Sequence, residues 1–508
     1  MPDSENGEGG QDGDYDYDGA VDVDVDGDYD VVVVGDYDVV VVGGGPPGEN
    51  VAGRVVRGGL SAVLVEHELV GGECSYWACM PSKALLRPVE LLAAARRVPG
   101  VAGVISSGLD VPAVFARRDA FVNSDSSEFG HDDSGQVRWL DGASVDLVRG
   151  HARLAGERRV AVSTPGGGTR VLTARHAVVL AVGTVANVPP IPGLAEARPW
   201  TSREVTNAAA APARLVVLGG GVVACEMAQA MRALGSAEVT IVERGPRLLG
   251  GAEPFAGKLL AEALGAAGIT VLTTASAREV RRDGDFGPVT VTLADGRELV
   301  ADEVLAALGR SPSTADVGLA TVGLEPGGYV DVDDSMHALG GWLYACGDVT
   351  GRNLLTHMGK YQARVCSDVI VARAHGKPTI GLAFRAVADR AWVPQVVFTD
   401  PQVCTVGLTE TQAVERGLRV RAVEYDIGQV AGAALLADGY QGHAKIVIEL
   451  DRRIVVGATF VGPELAELLH SATVAVVGEV PIDLLWHAVP AYPTVSEVWL
   501  RLLEEFGL

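Results

Sequence analysis

Val39-Val-Val-Val-Gly43-Gly-Gly45-Pro-Pro-Gly48 is the stretch on which the fold turns. Four β-branched residues in a row read as a strand buried on both faces. The glycines after it permit a tight turn and a close backbone approach before a helix begins. One helix length later comes a second strand, Ala62-Val-Leu-Val65, closed by Glu66. Glycines alone are a weak signal. With two strands, a helix and a terminal carboxylate around them, they make a unit that puts a pyrophosphate at a helix N-terminus and a ribose hydroxyl on the acid. Gly43, Gly45, Gly48 and Glu66 are therefore expected to hold a dinucleotide.

The same grammar returns in Leu215-Val-Val-Leu-Gly219-Gly-Gly221-Val-Val-Ala224, with Glu243 closing the strand that starts near Val239. Ala224 in the place of the third glycine is a permitted variant. Gly219, Gly221, Ala224 and Glu243 thus form a second dinucleotide site. Glu243 favours NADH, because a carboxylate accepts from a 2′-hydroxyl and repels a 2′-phosphate; Arg244 and Arg247 keep NADPH open.

The chain has 508 residues, too many for one core, and reads as about three domains. Its net charge of −24 is concentrated at the start: 14 acidic residues and no Lys or Arg lie between Asp3 and Asp38. Neither nucleic acid nor an anionic membrane suits such a surface. No run approaches the roughly 20 apolar residues of a membrane span, and the acidic N-terminus is unlike a secretory signal. The six cysteines are too scattered for a secreted disulfide framework, so a reducing, cytoplasmic setting is expected.

Residues 1–35 alternate Asp, Gly, Tyr and Val, a composition that predicts a disordered acidic tail. Asp22, Asp24, Asp26 and Gly27 open like a calcium loop, but Val33 stands where the closing carboxylate belongs. The octet Asp28-Tyr-Asp-Val-Val-Val-Val-Gly35 recurs as residues 36–43, and only the second copy meets the glycine cluster. The second copy is the expected strand, and the first is expected to be mobile or to add at a sheet edge.

Between the two glycine units lies Gly71-Gly-Glu-Cys74-Ser-Tyr-Trp-Ala-Cys79-Met-Pro-Ser-Lys83. Five residues of regular helix rise about 7.5 Å, beyond the roughly 7 Å between Cα atoms that a disulfide tolerates. A bond between Cys74 and Cys79 therefore requires a distorted helix start.

This stretch resembles the class I pyridine nucleotide-disulfide oxidoreductases, the family of lipoamide dehydrogenase, glutathione reductase, mycothione reductase and mercuric reductase. The resemblance extends over nearly everything after Tyr37. It takes in Val182-Gly183-Thr184, Leu308-Gly-Arg310-Ser-Pro312, Ala345-Cys-Gly-Asp348, Leu355-Thr-His357, Thr399-Asp-Pro401 and Val461-Gly-Pro-Glu-Leu-Ala-Glu467. It implies an α/β fold with two Rossmann-like dinucleotide-binding domains and a C-terminal α+β dimerisation domain. The FAD domain, 36–185 and 306–384, would be interrupted by an NAD(P) domain, 186–305, and followed by the interface domain of a homodimer, 385–508.

The resemblance also implies roles. Asp348 would hold the FAD ribityl chain, with Gly183 and Arg310 on the cofactor side. Lys83 would sit at the flavin N5 edge, paired with Glu226. Cys74 would be the outer, exchanging thiol and Cys79 the inner thiol in contact with the flavin. Near the C-terminus the family has His-Pro-Thr and a Glu five residues after the His; here stand Tyr492-Pro-Thr494 and Glu497. A phenol, with a reference pKa of about 10 against about 6.5 for imidazole, is poorly poised to shuttle protons near neutrality.

The expected activity is transfer of electrons from NAD(P)H through FAD and the Cys74–Cys79 disulfide to a small-molecule acceptor, by default a small disulfide as in dihydrolipoamide dehydrogenase. Direct reduction of a quinone or a metal ion is the enzymatic alternative, although the cysteine pair that mercuric reductases carry at the C-terminus is missing. A flavin redox sensor or electron-transfer protein, docking through the acidic tail, is the alternative outside catalysis.

Overall fold

A computed structural model describes residues 31–124 and 130–508. The first sheet orders its main strands His337–Leu339, Leu343–Ala345, Thr169–Leu180, Val31–Val42, Ala62–Glu66 and Asp146–Arg149. From Leu343–Ala345 across to Asp146–Arg149 every neighbouring pair is parallel. The valine run explains why this strand is central. Val39 and Val41 pack among the residues of helices Pro46–Arg57 and Thr356–Ala374, while Val40 and Val42 face the hairpin His151–Leu154 and Arg159–Ser163. Successive side chains point to opposite faces, so a strand covered on both sides must be apolar throughout.

Between Thr169–Leu180 and Leu343–Ala345 the chain builds a second parallel sheet, ordered Ile269–Leu272, Glu238–Val242, Arg214–Leu218 and Glu303–Ala306. An antiparallel meander, Ala277–Arg282, Val289–Leu293 and Glu298–Ala301, accompanies it. The two connecting segments run side by side, Thr184–Ala186 pairing antiparallel with Arg310–Pro312. The last unit is a five-stranded antiparallel sheet running from Pro394–Val397 to Val420–Asp426, with helices Leu469–Val477 and Val498–Phe506 in its core. Among the described residues no helix is long and apolar enough to cross a membrane.

The expected disordered tail needs correction, because the first copy of the repeated octet adds at the sheet edge from Val31, as the start of one strand, Val31–Val42, that the second copy continues. Its partner Thr169–Leu180 is long enough to continue the ladder, pairing with Val31, Val32 and Val33 before a register shift ahead of Asp36. Gly35 turns the strand there with φ near +96°, a conformation cheap only for glycine. The predicted disordered tail thus loses residues 31–35; residues 1–30, with the calcium-loop pattern, lie outside the described residues.

Candidate active site

The first glycine turn is fixed by contact rather than by flexibility. A Cβ on Gly43 would lie 2.4 Å from the Ala181 carbonyl oxygen, and one on Gly48 would lie 1.9 Å from that of Gly43. At Gly45 such an atom meets only Pro47, at 3.9 Å. Glu66, at the end of the second strand, is buried, and its carboxylate accepts from the Gly44 amide at 2.6 Å and the Glu68 amide at 2.7 Å. Burial works against its charge, but the His67 ring and these amides outweigh it and hold the carboxyl below its usual range.

A cleft of about 330 Å³ opens from this turn, and its wall includes Gly45, Glu66, Cys74, Gly183, Arg310 and Asp348. Arg310 Nε donates to Thr184 Oγ1 at 2.6 Å, and Thr184 Oγ1 donates to Asp348 Oδ2 at 2.9 Å. Burial pushes the Asp348 carboxyl above its usual range, with Thr184 and Arg310 opposing. Bare glycine backbone at a helix N-terminus, an acid at the strand end and an arginine beside a second acid together suit the pyrophosphate, ribose and ribityl groups of FAD. Of the residues expected on the FAD side, Gly43, Gly45, Glu66, Cys74, Gly183, Arg310 and Asp348 line this cleft, whereas Gly48, Cys79 and Lys83 do not.

Cys74 lies in the short helix Gly72–Tyr76 and Cys79 begins Cys79–Arg96; Trp77 and Ala78 between them leave helical geometry. The helix start is broken there, as a Cys74–Cys79 bond would require. Both cysteines are free thiols here. Cys79 Sγ lies 3.4 Å from Thr356 Oγ1, at the N-terminus of the helix Thr356–Ala374. The two thiols are pushed apart in acidity. A hydrogen bond from Cys74 lowers Cys79 against the effect of burial, and Thr356 and the Lys83 charge lower it further. Cys74 moves up, because it donates that bond, is buried and faces the Cys79 charge. Two helix N-termini add in the same direction at Cys79.

Lys83, one turn beyond Cys79, donates to Glu226 Oε2 at 2.7 Å, and the Phe398 amide donates to Glu226 Oε1 at 2.9 Å. Glu226 follows the second glycine turn, on the helix Val222–Ala233. In that turn a Cβ on Gly219 would meet the Ala307 carbonyl at 2.3 Å, while Gly221 faces open space and Ala224 is buried. Glu243 stands against Gly220, where a Cβ would be 2.9 Å from its Oε2. Arg244 is exposed, and Arg247 donates to the Gly250 carbonyl at 2.9 Å. This set suits a nicotinamide dinucleotide.

The C-terminal pair is not joined. Tyr492 is 77% exposed, whereas Glu497 is buried, with Oε1 accepting from Arg501 at 2.6 Å and Oε2 without a partner. Thr356, Phe398 and Arg501 were not singled out from the sequence; only Thr356 lay inside a quoted motif.

One further group has a pH consequence. Glu49, in the first turn of Pro46–Arg57, is raised to about 7 by burial, with Lys360 opposing. Its native state then holds a proton that the unfolded chain releases above its ordinary value, so stability falls as pH rises from about 4.5 to about 7. Glu49→Gln is expected to melt several degrees higher than wild type at pH 8, a gain of about 2–3 kcal/mol, and nearly level with it at pH 5. Equal midpoints at pH 8 would refute this.

The family model for pyridine nucleotide-disulphide oxidoreductases matches residues 37–376, and the model for their dimerisation domain matches residues 393–502. The chain belongs to the pyridine nucleotide-disulphide oxidoreductases. Within this family it is 32% identical to a mercuric reductase of Acidithiobacillus ferrooxidans over 87% of this chain and 78% of that one. To a dihydrolipoyl dehydrogenase of Thermus scotoductus it is 31% identical, over 91% and 95%. Its fold matches LpdA from Mycobacterium tuberculosis with a TM-score of 0.78 at 24% identity, over 94% and 100% of the two chains. A Cu(II) complex of the flavoprotein disulfide reductase RclA from Escherichia coli matches equally well, with a TM-score of 0.78 at 23% identity over 93% and 99%. Like the family, this oxidoreductase is an FAD-dependent enzyme that uses NAD(P)H and carries a C-terminal dimerisation domain.

Proposed function

We propose that this oxidoreductase takes electrons from NADH and delivers them through the Cys74–Cys79 pair to a small disulfide. The observation that carries this is the placing of two free thiols on either side of a helix break, Cys74 on the wall of the FAD cleft and Cys79 at a helix start, 3.4 Å from Thr356 Oγ1. Bound FAD supplies the two-electron exchange with nicotinamide and thiols. Gly43, Gly45, Gly48, Glu66, Gly183, Arg310 and Asp348 would hold it, with Lys83 at its reactive edge anchored by Glu226. Gly219, Gly221, Ala224 and Glu243 would hold NADH, the Glu243 carboxylate disfavouring a 2′-phosphate. These assignments divide the chain into an FAD part, 36–185 and 306–384, around an NAD part, 186–305, ahead of an interface part, 385–508. The exposed stretch with Leu484, Trp486, Val489 and Tyr492 would face a second copy in a homodimer, and the buried free thiols suit the reducing cytoplasm.

The thiol pair carries its own base. Cys74 attacks one acceptor sulfur as its proton passes to Cys79, and the other acceptor sulfur leaves as a thiolate. Cys79 gives that proton to the departed thiolate, then closes the Cys74–Cys79 bond and expels the second thiolate. No step needs an imidazole at position 492.

A second reading rests on the C-terminal pair. With Glu497 held by Arg501 and a phenol in place of an imidazole at position 492, leaving-group protonation from that side is weak, which favours a quinone or a metal ion as acceptor. Mercury and copper in the names of relatives point the same way. Cys74→Ser separates the two: disulfide turnover should vanish, whereas quinone reduction should survive. Retained disulfide turnover in that variant would overturn the first reading.

A further inference from the structure

Arg203 occupies a position that the reaction, as described, does not use. It belongs to the nicotinamide-side segment: Trp200 donates to the Val304 carbonyl and accepts from the Ala306 amide, both at 2.8 Å, so the segment rides on the edge of the second parallel sheet. Thr201 caps the following helix, Ser202–Asn207, in a reciprocal box with Glu204. From this base Arg203 reaches over the redox loop of the first domain. Nη1 and Nη2 donate to the two oxygens of Glu68 at 2.8 and 2.9 Å, and Nε donates to Glu73 Oε1 at 2.6 Å. The guanidinium also lies 3.9 Å from the centroid of the Trp77 ring.

Glu73 precedes Cys74, and Trp77 is where the chain breaks between the two cysteines. One side chain therefore grips the loop before, within and after the Cys74 turn. Glu68, Glu73, Cys74, Trp77 and Arg203 all line the cleft that fits FAD. Planar bidentate pairing, a charge-assisted bond and a cation–π contact from one residue make a directional tie, which a point charge cannot reproduce.

We propose that Arg203 is a positioning residue that latches the redox loop against the nicotinamide domain and thereby keeps FAD in its cleft. Loss of the guanidinium frees the loop from the neighbouring domain. It also leaves Glu68 without its partner and Glu73 with only Arg310, at 3.5 Å, beside a site built for an anionic pyrophosphate. Both effects favour release of the cofactor. The inference rests on the assignment of this cleft to FAD.

The test uses the full-length holoenzyme and follows the rise of flavin fluorescence after dilution into a trap for free FAD. Arg203→Met, which keeps the stem and drops the charge, should release FAD at least about tenfold faster than wild type. Arg203→Lys should fall between them. Glu68→Gln guards against a general folding defect: a latch predicts that the Arg203→Met and Glu68→Gln double variant is little faster than Arg203→Met alone, whereas independent defects would multiply. Release rates within twofold of wild type for Arg203→Met, or multiplying effects in the double variant, overturn the latch. Wild-type protein that binds no FAD would instead overturn the assignment of the cleft.

Discussion

Cys79→Ser is expected to bring NADH-driven disulfide reduction down by at least about a thousandfold, to background, while FAD stays bound and reducible. Cys79 is the thiol that the structure prepares as the anion. It begins one helix, faces the N-terminus of another through Thr356 Oγ1, lies in the field of Lys83 and receives the Cys74 hydrogen bond. A serine hydroxyl at this position stays protonated and cannot form the disulfide. It also removes the acceptor for the Cys74 proton, so Cys74 loses its base as well as its partner. Anaerobic titration with NADH reads the outcome directly. Wild type should take up about four electrons per chain, two in FAD and two in the thiol pair, and the variant about two. Four-electron uptake by Cys79→Ser would mean that the electrons reside elsewhere.

Most of this site was readable in sequence because its parts are local. A glycine turn depends on residues within ten positions, and both turns stand where Val39-Val-Val-Val42 and Leu215-Val-Val-Leu218 placed them. The helix break between Cys74 and Cys79 followed from the rise per residue together with the expected bond between them. Contacts between distant segments were less legible. Arg203 meets Glu68 and Glu73 across more than a hundred residues, and nothing in Thr201-Ser-Arg-Glu204 marks one arginine among many. Arg501 follows Glu497 by one helical turn and takes its carboxylate, a local pair that nothing in the Tyr492-Pro-Thr494 motif marks. The duplicated octet misled for a different reason: composition argued against order, but the strand beside it, Thr169–Leu180, is long enough to extend the ladder.

The same distinction governs the second large effect, at Glu226. One buried carboxylate joins three parts of the chain: Lys83 of the redox helix, Phe398 of the C-terminal unit, and its own helix after the second glycine turn. Glu226→Ala strands the Lys83 ammonium and the Phe398 amide together. Removing one partner of a fully buried pair costs about 3–5 kcal/mol, but about a third of the Lys83 side chain is exposed, so about 2–3 kcal/mol is expected here. The apparent melting temperature of the holoenzyme should fall accordingly. Glu226→Gln can still accept from the Phe398 amide through its carbonyl oxygen, yet its amide group then faces the ammonium. It should lose about half as much stability as the alanine variant. The two variants thus separate the charge from the cross-domain hydrogen bond. Equal losses in both would show that the bond to Phe398 contributes nothing, and that the carboxylate stabilises the chain only as the counter-ion of Lys83.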